Sequence, residues 1–299
     1  MTIDLLTESD LPAALRLSTQ AGWNQLEIDW HRLLTLWPET CFAGRVNGQL
    51  IATSTLATYA TDVGWIGMVL VDEAHRGQGH GGEILDAAIH SARQRGIQTI
   101  GLDATDLGRP VYLKRGFRDV AGIDRWVREP IPRGDNTIPH DSRGRKPRIS
   151  CATDPGLPPS AIMAQREITR LDRDATGLDR AGLLTHLQHE PNVHCSTIHR
   201  AASTTAFALL RPGRTASHLG PVVAETETDA TAAIEQVLTT PSETNDQSIL
   251  IDVPRGKLAG WLKSAGFTVA RKLTRMCLGP DAPFITSPKV FAACSFEMG

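Results

Sequence analysis

A chain of 299 residues, 41% hydrophobic and 21% charged, has the composition of a soluble globular protein and length enough for two cores. Its net charge of −2 excludes a global basic field for nucleic acid or a membrane surface, and no run approaches the roughly 18 apolar residues of a membrane span. Met1-Thr2-Ile3-Asp4 shows no basic-then-apolar leader, and five scattered cysteines (Cys41, Cys151, Cys195, Cys277, Cys294) form no C-x-x-C pair. The expectation is a cytoplasmic protein with reduced thiols and no metal site.

In chain order, Ile3–Leu6 reads as a short strand. Ser9 or Asp10 then caps a helix with Pro12 in its first turn, which ends near Gly22. A second helix, Leu26 to Trp37, aligns Trp30, Leu33, Leu34 and Trp37 on one stripe and stops at Pro38. Cys41–Val46 and Gln49–Leu56 flank Asn47-Gly48, a hairpin signal. Trp65–Val71 is an apolar run without alternation, as in a strand buried on both faces. Four glycines follow within Gly77–Gly82, then a helix from about Glu83 to Arg95 with Gly96 as its C-terminal cap. Ile97–Asp103 is another strand, Pro110 opens a short helix, and Arg118–Val127 is a further strand.

Strand, glycine loop and helix N-terminus together make an anion site, because glycines let backbone N–H groups approach closely and the helix dipole favours negative charge. The stretch contains no G-x-x-x-x-G-K-[ST], and its glycine period is wrong for a dinucleotide fingerprint. It fits R-x-x-G-x-G, as Arg76-Gly77-Gln78-Gly79-His80-Gly81 directly after Val69-Leu70-Val71. This resembles the pyrophosphate loop of the GNAT superfamily of acyl-CoA-dependent N-acyltransferases. Downstream, Tyr112-Leu113-Lys114-Arg115-Gly116-Phe117 resembles that family's Y-x-x-x-G-F helix, whose tyrosine faces the CoA sulfur. Thr105 stands where the family often has asparagine.

Residues 131–160 are proline-punctuated and read as a linker, with a small basic run that no aromatic residues interleave. Residues 161–299 repeat the earlier order faintly. A helix is expected near Asp179–His189, strands around Val193–Arg211, a helix holding Ala230, Ile234, Val237 and Leu238, and a strand at Ser248–Val253. Leu250-Ile251-Asp252 echoes Gly101-Leu102-Asp103, and Trp261 to Phe267 echoes Tyr112 to Phe117, with Leu262 at the tyrosine position. Gly220-Pro221-Val222-Val223-Ala224-Glu225-Thr226-Glu227 stands in for the glycine loop, with acidic residues where an anion would sit. The closing stretch from Arg275-Met276 through Phe291-Ala292-Ala293 to Phe296-Glu297-Met298-Gly299 resembles the tail of tandem GNAT proteins with an active first domain and a degenerate second one. The expected architecture is therefore α/β, two GNAT-like domains (1–130 and 161–299), each a twisted mixed sheet flanked by helices.

The resemblance implies direct attack of a primary amine on the thioester of acetyl-CoA as co-substrate, without metal. The backbone of Val69, Leu70 and Val71 would pair with the pantetheine arm. Arg76, Gly77, Gln78, Gly79, His80 and Gly81 would hold the pyrophosphate, and Thr105 and Tyr112 would also touch the cofactor. Tyr112 is the expected acid for the leaving thiolate, since a phenol of ordinary pKa about 10 can protonate a thiolate of about 8.5. An alkylamine of pKa about 10.4 is mostly protonated at pH 7, a deficit of roughly 4–5 kcal/mol that a base or burial must offset. Asp103 is the first candidate base, followed by Asp29 and His31; Glu73, His75 and His80 read as loop residues. Asn24, Asp29 and Trp65, with Trp23, are candidates to line the acceptor pocket. The acceptor expected is a small molecule, in a monomer or homodimer; a protein lysine or N-terminus, or a non-catalytic acyl-CoA sensor, are the alternatives.

Overall fold

The computed structural model describes residues 1–59, 62–130, 159–201, 203–239, 247–280 and 286–299. Most of the expected linker therefore lies outside the described residues, except that Pro159 and Ser160 open a helix the sequence reading did not anticipate. The first half runs β1 (Thr2–Leu5), α1 (Leu11–Gln20), α2 (Glu27–Leu36), β2 (Cys41–Val46), β3 (Gln49–Thr58), β4 (Val63–Val71), α3 (His80–Gln94), β5 (Thr99–Ala104), α4 (Arg109–Leu113) and β6 (Arg118–Arg128). The second runs α5 (Pro159–Thr176), α6 (Ala181–His189), β7 (His194–Arg200), β8 (Ser203–Arg211), β9 (Ala216–Ala224), α7 (Glu227–Thr239), β10 (Ser248–Pro254), α8 (Ala259–Ser264), β11 (Thr268–Leu278) and β12 (Val290–Ala292). Asn47 and Gly48 both take positive φ, 51° and 78°, as the two-residue hairpin turn requires.

Among the described residues twelve strands join one mixed sheet, ordered β1-β2-β3-β4-β5-β11-β6-β10-β9-β8-β7, with β12 added against β9. The centre of that order contains an exchange. β11, from the second half, pairs antiparallel with β5 of the first, while β6, from the first half, pairs antiparallel with β10 of the second. Each half gives its last long strand to the other, and the two exchanged strands pair with each other from Thr268↔Val127 to Cys277↔Arg118.

Buried charge follows the exchange. Arg275 on β11 donates to both carboxylate oxygens of Asp103 on β5, each at 2.9 Å. Arg125 on β6 donates to both oxygens of Asp252 on β10 at 2.8 and 2.7 Å. The two bidentate pairs occupy corresponding places, and each ties one half's aspartate to the other half's arginine. The hydrophobic core is shared too. Leu17, Trp30 and Leu33 of the first half pack in one cluster with Leu184, Leu187 and Phe207 of the second. At the edge of that core Arg32 of α2 grips Glu190 after α6 at 2.6 and 2.7 Å and holds Asp29 at 2.9 Å. No described helix is long and apolar enough to cross a membrane.

Candidate functional site

β4 and β5 begin as parallel neighbours but separate. Their pairing covers only Val63–Trp65 against Thr99–Gly101, while β4 continues to Val71 along β3. The edge of Ile66–Val71 is thus turned toward a gap rather than toward β5. Met68 in this stretch takes a left-handed φ of 49°, a kink that re-aims the strand. The gap opens into a cavity of about 880 Å³ that reaches from the glycine loop, past Tyr112, to residues of β6, β11 and the closing segment.

At one end lies the loop. Asp72 accepts from the Ala74 amide at 3.1 Å and starts a single 3₁₀ turn, Glu73–His75. Gly77 and Gly79 then adopt φ of +78° and +91°, and open space surrounds the position of a Cβ at either. These glycines are needed for backbone conformation, not for room. Gly79 is the N-cap of α3, and the first amides to bond back, Gly82 and Glu83, both reach its carbonyl at 2.8 and 3.2 Å. The turn lies at the positive, N-terminal end of a fifteen-residue helix. Arg76 is exposed beside it, with Nε on the Val71 carbonyl at 3.1 Å.

Further along, the Thr105 hydroxyl accepts from the Gly108 amide at 3.2 Å and so shapes the turn into α4. Tyr112 on that helix is buried edge-on against Phe117, ring centroids 5.9 Å apart. Burial pushes its phenol up to about 12, so the group is protonated at neutral pH.

Of the residues expected from sequence, Val69, Leu70, Val71, Arg76, Gly77, Gly79, His80, Gly81, Asp103, Thr105 and Tyr112 all line this one cavity. Gln78 does not; its side chain turns back to the Ala74 carbonyl at 3.4 Å. Of the expected acceptor-pocket residues, Trp23 lines it, whereas Asn24, Asp29 and Trp65 do not. Asn24 instead pins the loop before β9, accepting from the Thr215 and Ala216 amides at 2.8 and 3.0 Å and donating to the Ala216 carbonyl at 2.8 Å. Asp29 accepts from the Leu26 amide at the start of α2 and from Arg32. Trp65 is fully buried, with Arg275 4.7 Å from the ring centroid and its Nε1 on the Phe296 carbonyl at 2.9 Å. Asp103 reaches the cavity wall with both oxygens engaged by Arg275, an arrangement suited to fixing that arginine.

Gln25, Arg125, Phe296 and Glu297 also line the cavity and were not singled out for the site from sequence. Three of them reach it only through the strand exchange or the closing segment, and no local pattern announces that. Arg125 stacks 4.2 Å from the Phe296 ring centroid while it holds Asp252. Among the described residues no cluster of three or more His, Cys, Asp or Glu is placed to hold a metal ion.

This geometry agrees with the comparisons to known proteins. Two family models match the chain, the acetyltransferase (GNAT) family over residues 6–117 and an acetyltransferase (GNAT) domain over 168–292. No match was found among curated proteins. Among solved structures, a candidate acetyltransferase from Pyrococcus horikoshii superposes with TM-score 0.75 at 18% identity, over 100% of this chain and 95% of its own. A GCN5-related N-acetyltransferase from Sphaerobacter thermophilus gives 0.62 at 14%, over 96% of this chain and 98% of its own. One from Anabaena variabilis gives 0.55 at 11%, over 92% and 72%. The chain belongs to the GNAT acyltransferases and carries that fold twice. It is an acyltransferase built from two such domains in one continuous sheet.

Proposed function

We propose that the protein transfers the acetyl group of acetyl-CoA to a primary amine of a small molecule, at the cleft between β4 and β5. The observation that carries this is the conjunction along one cavity of an unpaired strand edge, a glycine turn at a helix N-terminus and a buried, protonated tyrosine. The pyrophosphate would meet the amides of Gly77–Gly81, with Arg76 nearby, and the pantetheine arm would lie along Val69–Val71 as an added strand. A β4 amide left without a strand partner can polarise the thioester carbonyl, and one such donor is worth about 3 kcal/mol. Tyr112 would protonate the departing thiolate.

A small acceptor is favoured over a polypeptide because residues of β11 together with Phe296 and Glu297 contribute to the cavity wall. Asp103 serves as the partner that fixes Arg275. The test is release of free thiol from acetyl-CoA across a panel of amino acids, polyamines, amino sugars and arylalkylamines, with acetyl-CoA binding followed by calorimetry. Binding together with amine-dependent release is expected; no heat of binding would remove the reading.

A further inference from the structure

The closing segment visits both halves of the sheet. In the second half β9 and β10 pair only over Ala216–Leu219 against Ser248–Ile251, so they part as β4 and β5 do. Here the gap is filled. β12 pairs with β9 through Val290↔Val223 and Ala292↔Val222, and the Ala293 amide donates to the Asp252 carbonyl of β10 at 2.9 Å. Lys257 fastens the run, donating to the carbonyls of Ser287, Pro288 and Val290, each at 2.8 Å.

The chain then crosses to the first cleft, held by its own backbone. Arg211 donates to the Cys294 carbonyl at 2.8 Å, Trp65 to that of Phe296 at 2.9 Å, and Tyr59 to that of Met298. Gly67 on β4 lets it lie close: a Cβ there would stand 2.5 Å from the Glu297 Cα. None of these anchors uses the Glu297 side chain. Glu297 is 2% exposed and lines the cavity; its carboxyl takes a weak bond from Gln25 Nε2 at 3.3 Å, and Oε1 has no hydrogen-bond partner among the described residues. An unpartnered buried carboxylate oxygen in a reaction cavity is costly unless something arrives to use it.

We infer that the Glu297 carboxylate is the general base for the acceptor amine, delivered to the first cleft by the segment that fills the second. The assignment rests on the acetyltransferase reading above. The ammonium group gives one proton to Glu297, and the freed nitrogen pair forms the N–C bond at the thioester carbon. The C–S bond breaks, the sulfur takes a proton from Tyr112, and the amine's second proton restores the phenol. The products are the amide and CoA thiol, with one proton passed from Glu297 to solvent. Burial, then the charge of Asp29, raises the Glu297 carboxyl above its ordinary value, while Arg211 and Arg32 act in the other sense. Asp29 and Arg32 approach from α2, Arg211 from β8 and Arg125 from β6, with Tyr59 after β3 and Cys294 in the segment itself. A base lifted in this way is better matched to work near neutral pH than an ordinary carboxylate.

Glu297→Gln is the test, since it keeps the shape and the bond from Gln25. On the best acceptor of the amine panel, kcat/KM should fall about 10²-fold and its pH profile should lose the acidic limb, with acetyl-CoA affinity unchanged. A second measurement needs no acceptor. Ionising a carboxyl whose pKa is raised by folding costs stability as pH rises, so the Tm of Glu297→Gln should gain on wild type between pH 5 and 8. Wild-type rate and pH profile in the variant, joint loss of acetyl-CoA binding, or a Tm difference independent of pH would each overturn the base. So would a wild-type protein that binds acetyl-CoA yet releases thiol with no amine. Failure of the wild type to bind acetyl-CoA would instead fall on the acetyltransferase reading itself.

Discussion

The two halves of this sheet share a plan and differ at two places that govern function. After β4 the chain spends eight residues, 72–79, on a 3₁₀ turn and the glycine turn before α3 begins. After β9 it has only Glu225 and Thr226 before α7. There the Thr226 hydroxyl caps the Asp229 amide at 3.1 Å, and Asp229 is itself paired with Arg200 at 2.9 Å. A helix start that is capped by its own threonine and lined by carboxylates has no use for a phosphate. Of the Gly220–Glu227 stretch read from sequence as the replaced loop, Gly220–Ala224 lies inside β9 and Glu225-Thr226 form the connection, which is simply shorter. The second difference is occupancy: the first splayed gap is an open cavity, whereas β12 completes the second as an extra strand. One fold thus hosts a reaction cleft or a structural seam, depending on loop length and on what lies between two diverging strands.

The sharpest test of that contrast swaps no parts and compares equivalent positions. Tyr112→Phe should lower turnover about 10²-fold or more while leaving acetyl-CoA affinity intact, as expected for loss of a general acid. At the matching position Leu262 is fully buried, and Leu262→Ala should cost about 2–5 kcal/mol in denaturant unfolding without changing affinity in the protein that remains folded. Equal effects of the two changes on turnover per folded molecule would erase the distinction between the halves.

A smaller effect is expected from Gly67→Ala. Its methyl group would fall 2.5 Å from backbone of residue 297, so the closing segment must move away from β4. We expect kcat to drop at least tenfold with little change in acetyl-CoA affinity, measured by stopped-time thiol release and calorimetry. Gly79→Val acts at the other end of the cleft. A branched side chain at φ +91° costs about 1–3 kcal/mol of strain, so acetyl-CoA affinity should weaken roughly ten- to hundredfold. The smallest expected effect is Thr226→Ala, about 1 kcal/mol of stability from a lost cap with acetyl-CoA binding untouched. A measurable loss of affinity there would give the second helix N-terminus a ligand role.

Much of the first cleft could be read along the chain because its parts are local. An apolar strand, left-handed glycines and a helix start follow one another within twenty-odd residues, and the tyrosine sits on the next helix, so type and spacing carry the geometry. Acceptor-side residues resisted the same reading. Asn24 and Asp29 are polar residues in plausible places, yet their side chains satisfy a loop of the other half and a helix start. Buried polar groups take whichever partner the fold supplies, and sequence does not name it. Asp103 was legible as a residue at a strand end beside the cleft; its bond to Arg275, 172 positions away, was not.

What the sequence by itself determined is the order of elements in the first half, the hairpin at Asn47-Gly48, the glycine turn and the faint repeat of the plan in the second. Hydrophobic period, turn chemistry and left-handed glycines act over a few residues and are written there. Only the tertiary structure decided that the halves exchange β6 and β11, that each buried aspartate is neutralised by the opposite half, and that the last residues cross from a filled gap into an open one. Those outcomes depend on contacts between residues far apart in the chain, whose energies come from closing one core and pairing charges out of water. The cavity therefore has two origins: its glycine turn and Tyr112 are local features of the first half, and Phe296 and Glu297 are brought to its wall by the second.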